Sequence, residues 1–150
     1  MRLAIETTRA GIAAGQTPFG AVLVRDGRVV ATAHNCVWAT TDPTAHAEVT
    51  AIRVAARQLH AIDLSGCTMY TTTEPCPMCL AAIHWARVDR VLYGATIADA
   101  AAAGFHELRV PATMMVEVGG SSLKVEVGPL REECRGLFDL WKKTGLSGTY

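Results

Sequence analysis

The chain reads as an α/β protein in which a central sheet is covered by helices on both faces. Two observations carry that expectation. Strand-like and helix-like patterns alternate along all 150 residues, and hydrophobic side chains make up 50% of the composition, enough for a core without disulfide staples. At this length a single domain over residues 1–150 is expected.

The elements follow in order. Residues 3–14 have helical spacing, with Leu3, Ala10 and Ala14 on one face. Pro18 and Gly20 open a strand over 20–25. Arg25-Asp26-Gly27-Arg28 carries the Asp-Gly signature of a tight hairpin turn, and 29–34 returns as the partner strand. A loop rich in Thr and Asp ends at Pro43 and Thr44, after which Val49, Ile52, Ala56 and Leu59 recur at helical spacing. A strand over 67–72 leads through Pro75 into a helix over 77–86, whose alanine-rich faces allow close packing. Residues 90–94 read as a buried strand and 98–103 as a short helix ended by Gly104. A last strand spans 123–127, and an amphipathic helix over 130–143 closes the chain. Gly119-Gly120-Ser121-Ser122 serves as a turn between elements.

Charge narrows the range of partners. Lys and Arg number 14, as do Asp and Glu, so no overall field draws in a polyanion, and nucleic acid is not an expected partner. Arg2, Glu6 and Arg9 interrupt the apolar core that a signal peptide needs, and no apolar run is long enough for a membrane helix. Five cysteines are an odd count, and Cys76 and Cys79 stand too close for an ordinary structural bridge. Both facts favour a reducing, cytoplasmic location. Cys36, Cys67 and Cys134 read as core cysteines.

The chemistry concentrates in two places, each at the start of an expected helix. One is His46-Ala47-Glu48 and the other is Pro75-Cys76-Pro77-Met78-Cys79. Catalytic zinc takes imidazole nitrogen and thiolate sulfur from three protein ligands and leaves its fourth position open. His46, Cys76 and Cys79 make three. Helix N-termini favour thiolates even before a metal arrives, and bound zinc acidifies water towards neutral pH. A leaving ring amine departs as ammonia only after protonation, and one carboxylate can carry the protons. Glu48, two residues from His46, stands where such a carrier is needed.

Other readings exist for each part. A His or Glu in a first helical turn also serves as cap or dipole partner, and Cys-x-x-Cys after a strand also suits thiol redox chemistry. A closed structural zinc site would need a fourth ligand, from His34 or Cys36. The redox reading leaves His46 and Glu48 unexplained, and the structural-zinc reading leaves Glu48 unexplained. The H-x-E and P-C-x-x-C pair is the pattern of zinc nucleobase deaminases.

The stretches 42–53 and 73–87, from Asp42-Pro43-Thr44-Ala45-His46-Ala47-Glu48 and from Thr73-Glu74-Pro75-Cys76-Pro77-Met78-Cys79, resemble the cytidine deaminase superfamily. Within it they are similar to the bacterial guanine deaminase and plant guanosine deaminase branch, and the tRNA adenosine deaminases share much of the pattern. The resemblance runs from Pro18-Phe19-Gly20-Ala21 onward, through 99–105, to a C-terminal Tyr150. It implies a three-layer α/β/α sandwich around a five-stranded mixed sheet, one zinc per subunit, and a homodimer with active sites near the interface. The implied reaction is deamination of guanine to xanthine. Guanosine, cytosine, isocytosine, an aminotriazine or tRNA adenosine are the alternatives, and a non-catalytic zinc or redox module is the remaining class.

Carried over residue by residue, the resemblance makes Asn35, eleven positions before His46, a base-binding amide. The other reading of Asn35 is a strand-end cap for the loop that follows. Phe19 and Trp85 line the pocket, and the backbone N–H of Ala47 meets a ring acceptor. Tyr150 reaches the pocket as the C-terminal segment closes over it. The departure is at His106-Glu107, where guanine deaminases carry two aspartates, the second of which reads the base. Glu107 can still accept two parallel N–H bonds from an amino group and its adjacent ring N–H.

Overall fold

The computed structural model describes residues 1–146; Tyr150 lies outside the described residues. Helix α1 (Arg2–Ala13) leads into a hairpin of β1 (Gly20–Arg25) and β2 (Arg28–His34). Asp26 and Gly27, at φ 51° and 72°, make the turn that a two-residue hairpin loop requires. A short helix α2 (Val37–Thr40) precedes α3 (Ala47–Leu59). Strand β3 (Cys67–Thr73) runs into α4 (Pro77–Trp85), and β4 (Arg90–Ala95) into α5 (Ile97–Ala102). Helix α6 (Ala112–Val118), β5 (Lys124–Val127) and α7 (Arg131–Lys142) complete the chain.

The five strands form one mixed sheet in the order β2-β1-β3-β4-β5. The β1 strand pairs antiparallel with β2 and β3, while β3, β4 and β5 are parallel. Alternating side chains supply both faces. Leu23, Met69 and Val91 pack with Leu64 and Ile83 on the face covered by α3, α4 and α6. On the other face Ile5, Ile12, Leu137, Phe138 and Trp141 pack with Phe105 under α1, α5 and α7. The expected three-layer α/β/α sandwich is thus observed.

Two glycines set close approaches. A Cβ on Gly20 would collide with the Thr8 hydroxyl, and one on Gly94 with the Cys134 sulfur, so α1 and α7 lie directly on strand backbone there. That contact corrects the expected inner face of α1. Ala4, Ile5, Thr8, Gly11 and Ile12 are buried, whereas Leu3, Ala10 and Ala14 are exposed. Periodicity of apolar residues misses the face because Thr8 and Gly11, neither of them apolar, provide the fit.

Helices α2 and α6 go beyond the sequence expectation. The first is four residues long, and its first N–H, from Val37, donates to Asn35 Oδ1 at 3.0 Å. The second has no local side-chain cap. Asn35 is the one start signal for α2, which is too short to show a helical period, and α6 carries no such residue at its start.

Candidate metal centre and active-site cleft

The carboxyl ends of β2, β3 and β4 and the start of β1 meet at one edge of the sheet, a usual place for a ligand crevice in open α/β sheets. There His46 and Cys76 occupy matching backbone positions. Each is the N-cap of its helix, α3 or α4, at φ/ψ of −62°/158° and −64°/165°. Pro77 sits in the first turn of α4, where a missing N–H costs nothing. Cys79 follows within the same turn, fully buried.

His46 Nδ1 stands 3.5 Å from Cys79 Sγ and 3.7 Å from Cys76 Sγ, and the three ligand atoms all lie within 4.8 Å of one another. Tetrahedral zinc at usual bond lengths separates imidazole nitrogen from thiolate by about 3.6 Å. The donors therefore fit zinc in type and spacing. His34 and Cys36, the alternative fourth ligands, face each other at 3.7 Å at the end of β2 and stand outside this group. Among the described residues three protein donors remain, the number found in catalytic rather than structural sites.

The thiols differ sharply. A hydrogen bond from Cys79 pulls Cys76 down to about 4, against burial and with help from His46. Its proton-holding partner Cys79 is pushed well above the ordinary thiol range by that hydrogen bond and by burial. One proton serves both sulfurs, and a metal cation would displace it. Burial pulls His46 down, but its hydrogen bond to Cys76 and the charges of Glu48, Cys76 and Glu107 raise it overall.

Glu48 lies in the first turn of α3 and is buried, with Oε1 accepting the Thr71 hydroxyl of β3 at 3.0 Å. Burial first, and then the Cys76 charge, push its carboxyl above the usual range, outweighing His46 and the Thr71 bond. Glu107 is half-buried on the segment after α5. Burial, with the charges of Cys76 and Glu48, raises it to about 6 against the pull of His46. His46, Glu48, Cys76 and Glu107 all line a cleft of about 200 Å³, with Phe19, Met78 and Phe105 among its apolar walls. Phe19 meets Phe105 edge to face, with ring centres 4.8 Å apart. The Thr73 hydroxyl, buried at the same cleft, has no hydrogen-bond partner among the described residues.

The zinc-binding region of cytidine and deoxycytidylate deaminases matches residues 1–95. The chain belongs to that family. Its zinc-binding character agrees with the donor set, and the matched region holds His46, Glu48, Cys76 and Cys79 but ends before Glu107. Guanine deaminase of Bacillus subtilis is 54% identical over 105 residues, which cover 70% of this chain and 65% of that protein. The tRNA-specific adenosine deaminase of Aquifex aeolicus is 39% identical over 95 residues, covering 63% of each. These matches thus span just under two thirds of those relatives' lengths. A solved guanine deaminase structure from Nitrosomonas europaea superposes with a TM-score of 0.85 at 31% identity, covering 93% of this chain and 81% of that one.

Of the residues expected from sequence, Phe19 and Glu107 stand at the family's zinc-centred cleft. Ala47 is buried as the first residue of α3, next to His46. Asn35 is buried just after β2. Its N–H donates to Phe19 O at 2.9 Å, and its side-chain oxygen caps α2. Trp85 is a correction. It is 82% exposed and borders a separate depression with Leu80, His84 and Met115. It ends α4, just over two turns and about 12 Å from the cysteine end of the helix, at 1.5 Å per residue. Sequence reasoning assigns no role to Thr71, Thr73 or Glu74. The alternation of β3 marks Thr71 and Thr73 as sharing one face of the strand, and a carboxylate next to Pro75-Cys76 is the remaining signal.

Proposed function

We propose that the chain is a zinc-dependent hydrolase acting on the C–N bond of a cyclic amidine, with guanine as leading substrate and xanthine and ammonia as products. The observation that carries this reading is one cleft containing three zinc donors, a buried Glu48 and a second carboxylate, Glu107. His46, Cys76 and Cys79 would hold the zinc, which would supply a water acidified to a nucleophile. Glu48 would carry one proton of the attacking water to the ring nitrogen beside the attacked carbon, and the second water proton would go to the departing amine, which would leave as ammonia while oxygen takes its place on the ring.

Glu107 accepts the amino N–H and the adjacent ring N–H, an edge shared by guanine, isocytosine and aminotriazines. Phe19 packs on the ring and the Ala47 N–H meets a ring acceptor. Asn35, whose side-chain oxygen accepts the Val37 N–H, is taken as the base-binding amide. The guanine deaminase names among the similar proteins support this reading.

The same reading takes residues 1–150 as one domain and the protein as a cytoplasmic homodimer serving purine metabolism. Support for the dimer comes from α4, apolar except for His84, which packs against α6 while Trp85, Met114 and Val118 stay exposed. Free cysteines support a reducing compartment. No helix among the described residues is long and apolar enough to cross a membrane.

A second reading, tRNA adenosine deamination, is favoured by the Aquifex aeolicus relative. Against it, the cationic side chains of α7 are offset, with Arg131 and Arg135 facing Asp99 and Arg135 also facing Glu132. Ammonia release by zinc-loaded protein against guanine, guanosine, cytosine, isocytosine, an aminotriazine and a tRNA anticodon stem-loop separates the readings. Turnover of guanine or a base with the same edge is expected; turnover of the RNA alone would overturn the small-base reading.

A further inference from the structure

Glu74 is a buried carboxylate that the proposed chemistry does not use. It follows β3 directly, two residues before Cys76, and is 9% exposed. Its backbone N–H donates to Ala95 O at 2.8 Å, which seats it at the end of β4. Its side chain accepts the Ile97 N–H on Oε2 at 3.1 Å and the Ala112 N–H on Oε1 at 2.9 Å. Ile97 and Ala112 are the first residues of α5 and α6, whose N–H groups have no acceptor within their own helices. Helix α5 has a capping box of its own from Thr96 and Asp99. Helix α6 has Pro111 as its N-cap residue, with no side-chain cap of its own and no acid in its first turn. A residue 38 positions upstream supplies what the local sequence of α6 lacks, and in doing so joins two helix starts.

Between those anchor points, residues 103–111 run without regular structure and carry Phe105, His106, Glu107 and Leu108 along the cleft. The backbone bonds of this segment are local: Phe105 to Ala100, Glu107 to Phe105, and Val110 to Leu108. A second cavity, bordered by Ala101, Ala102, Arg109 and Pro111, also reaches Glu74, so there is open space at the cleft and again near Arg109. Phe105 is buried against Phe19 and Phe138, which fixes the segment near one end. Glu107 therefore depends for its place on Phe105 and on the two helix starts.

We infer that Glu74 is a positioning residue: by binding the first N–H of both α5 and α6 it holds the segment that presents Glu107 to the cleft. This rests on the reading of Glu107 as the carboxylate that recognises the base.

The test uses zinc-loaded full chain, wild type against Glu74→Gln and Glu74→Asp. Amide hydrogen exchange, which needs no turnover, is expected to rise about tenfold at Ala112 or Ile97 in Glu74→Gln, the loss of one hydrogen bond to a charged group. Amides of α3 and bound zinc should not change. In kinetics on the base identified by the panel, KM should rise about tenfold with kcat within about threefold, as lost ground-state positioning requires. Glu74→Asp, which keeps both acceptor oxygens, should recover part of that loss. In a Glu107→Ala background the Glu74→Gln effect on KM should vanish. Unchanged exchange at both amides, or a KM effect that adds in full to that of Glu107→Ala, would overturn the inference. Absence of turnover on every substrate would instead defeat the recognition reading, while exchange still decides whether Glu74 holds the segment.

Discussion

The Thr71 hydroxyl donates to Oε1 of Glu48 at 3.0 Å, tying a sheet residue to a carboxylate in the first turn of α3. Both are buried. The bond spans the space between strand and helix and engages one oxygen of the carboxylate proposed to carry the proton.

Thr71→Val keeps shape and removes that donor. A hydrogen bond to a charged group contributes about 1.5–3 kcal/mol, so kcat should fall about tenfold or more with zinc content unchanged. Steady-state kinetics beside metal analysis checks this. A kcat equal to wild type would show that Glu48 needs no such support.

Glu107 gives a pH signature in the metal-free chain. Its carboxyl is raised to about 6 in the fold, so folding favours its protonated form. The stability it contributes is present below the ordinary carboxylate range, about 4.5, and is lost as pH rises through 6. Glu107→Gln should therefore match wild type near pH 4.5 and exceed it above pH 7 by on the order of 1 kcal/mol, after allowance for solvent screening. Urea denaturation across that range reads the difference, and a pH-independent offset would place Glu107 in open solvent.

Trp85 tests the proposed dimer. It is 82% exposed at the end of a helix whose one polar residue is His84. Trp85→Ser should shift the chain from dimer to monomer in sedimentation while leaving zinc bound, because Cys76 and Cys79 sit at the other end of α4 and His46 at the start of α3. Aromatic anchors of this kind commonly contribute about 2 kcal/mol or more to an interface, about a thirtyfold change in dissociation constant. A wild-type chain that sediments as a monomer at micromolar concentration would rule the dimer out.

Much of this was legible in the sequence, for identifiable reasons. The hairpin at Asp26-Gly27 and the helix from Ala47 were marked by local chemistry, a turn that needs positive φ and a run of helical period. His46, Cys76 and Cys79 were visible because zinc demands particular atoms at particular spacings, and Glu48 because deamination calls for a carboxylate close to the metal. The inner face of α1 was not, since close packing there uses Thr8 and Gly11 rather than large apolar residues. Helix α6 escaped because its cap comes from Glu74, far away in the chain. Trp85 was misplaced because a sequence places a residue on a helix without saying which end of that helix meets the cleft. The hydrogen bonds of Thr71 and Glu74 join distant elements, which no short motif encodes.

The most direct measurement compares ammonia release from guanine by zinc-loaded wild type and Glu48→Gln, with bound zinc measured in both. The glutamine side chain preserves shape and cannot carry a proton, and general acid–base catalysis is typically worth about 10²–10⁴ in rate. A proton-carrying Glu48 predicts a loss of at least about 10²-fold in kcat with one zinc retained per chain. Activity within about threefold of wild type, with zinc still bound, would contradict it.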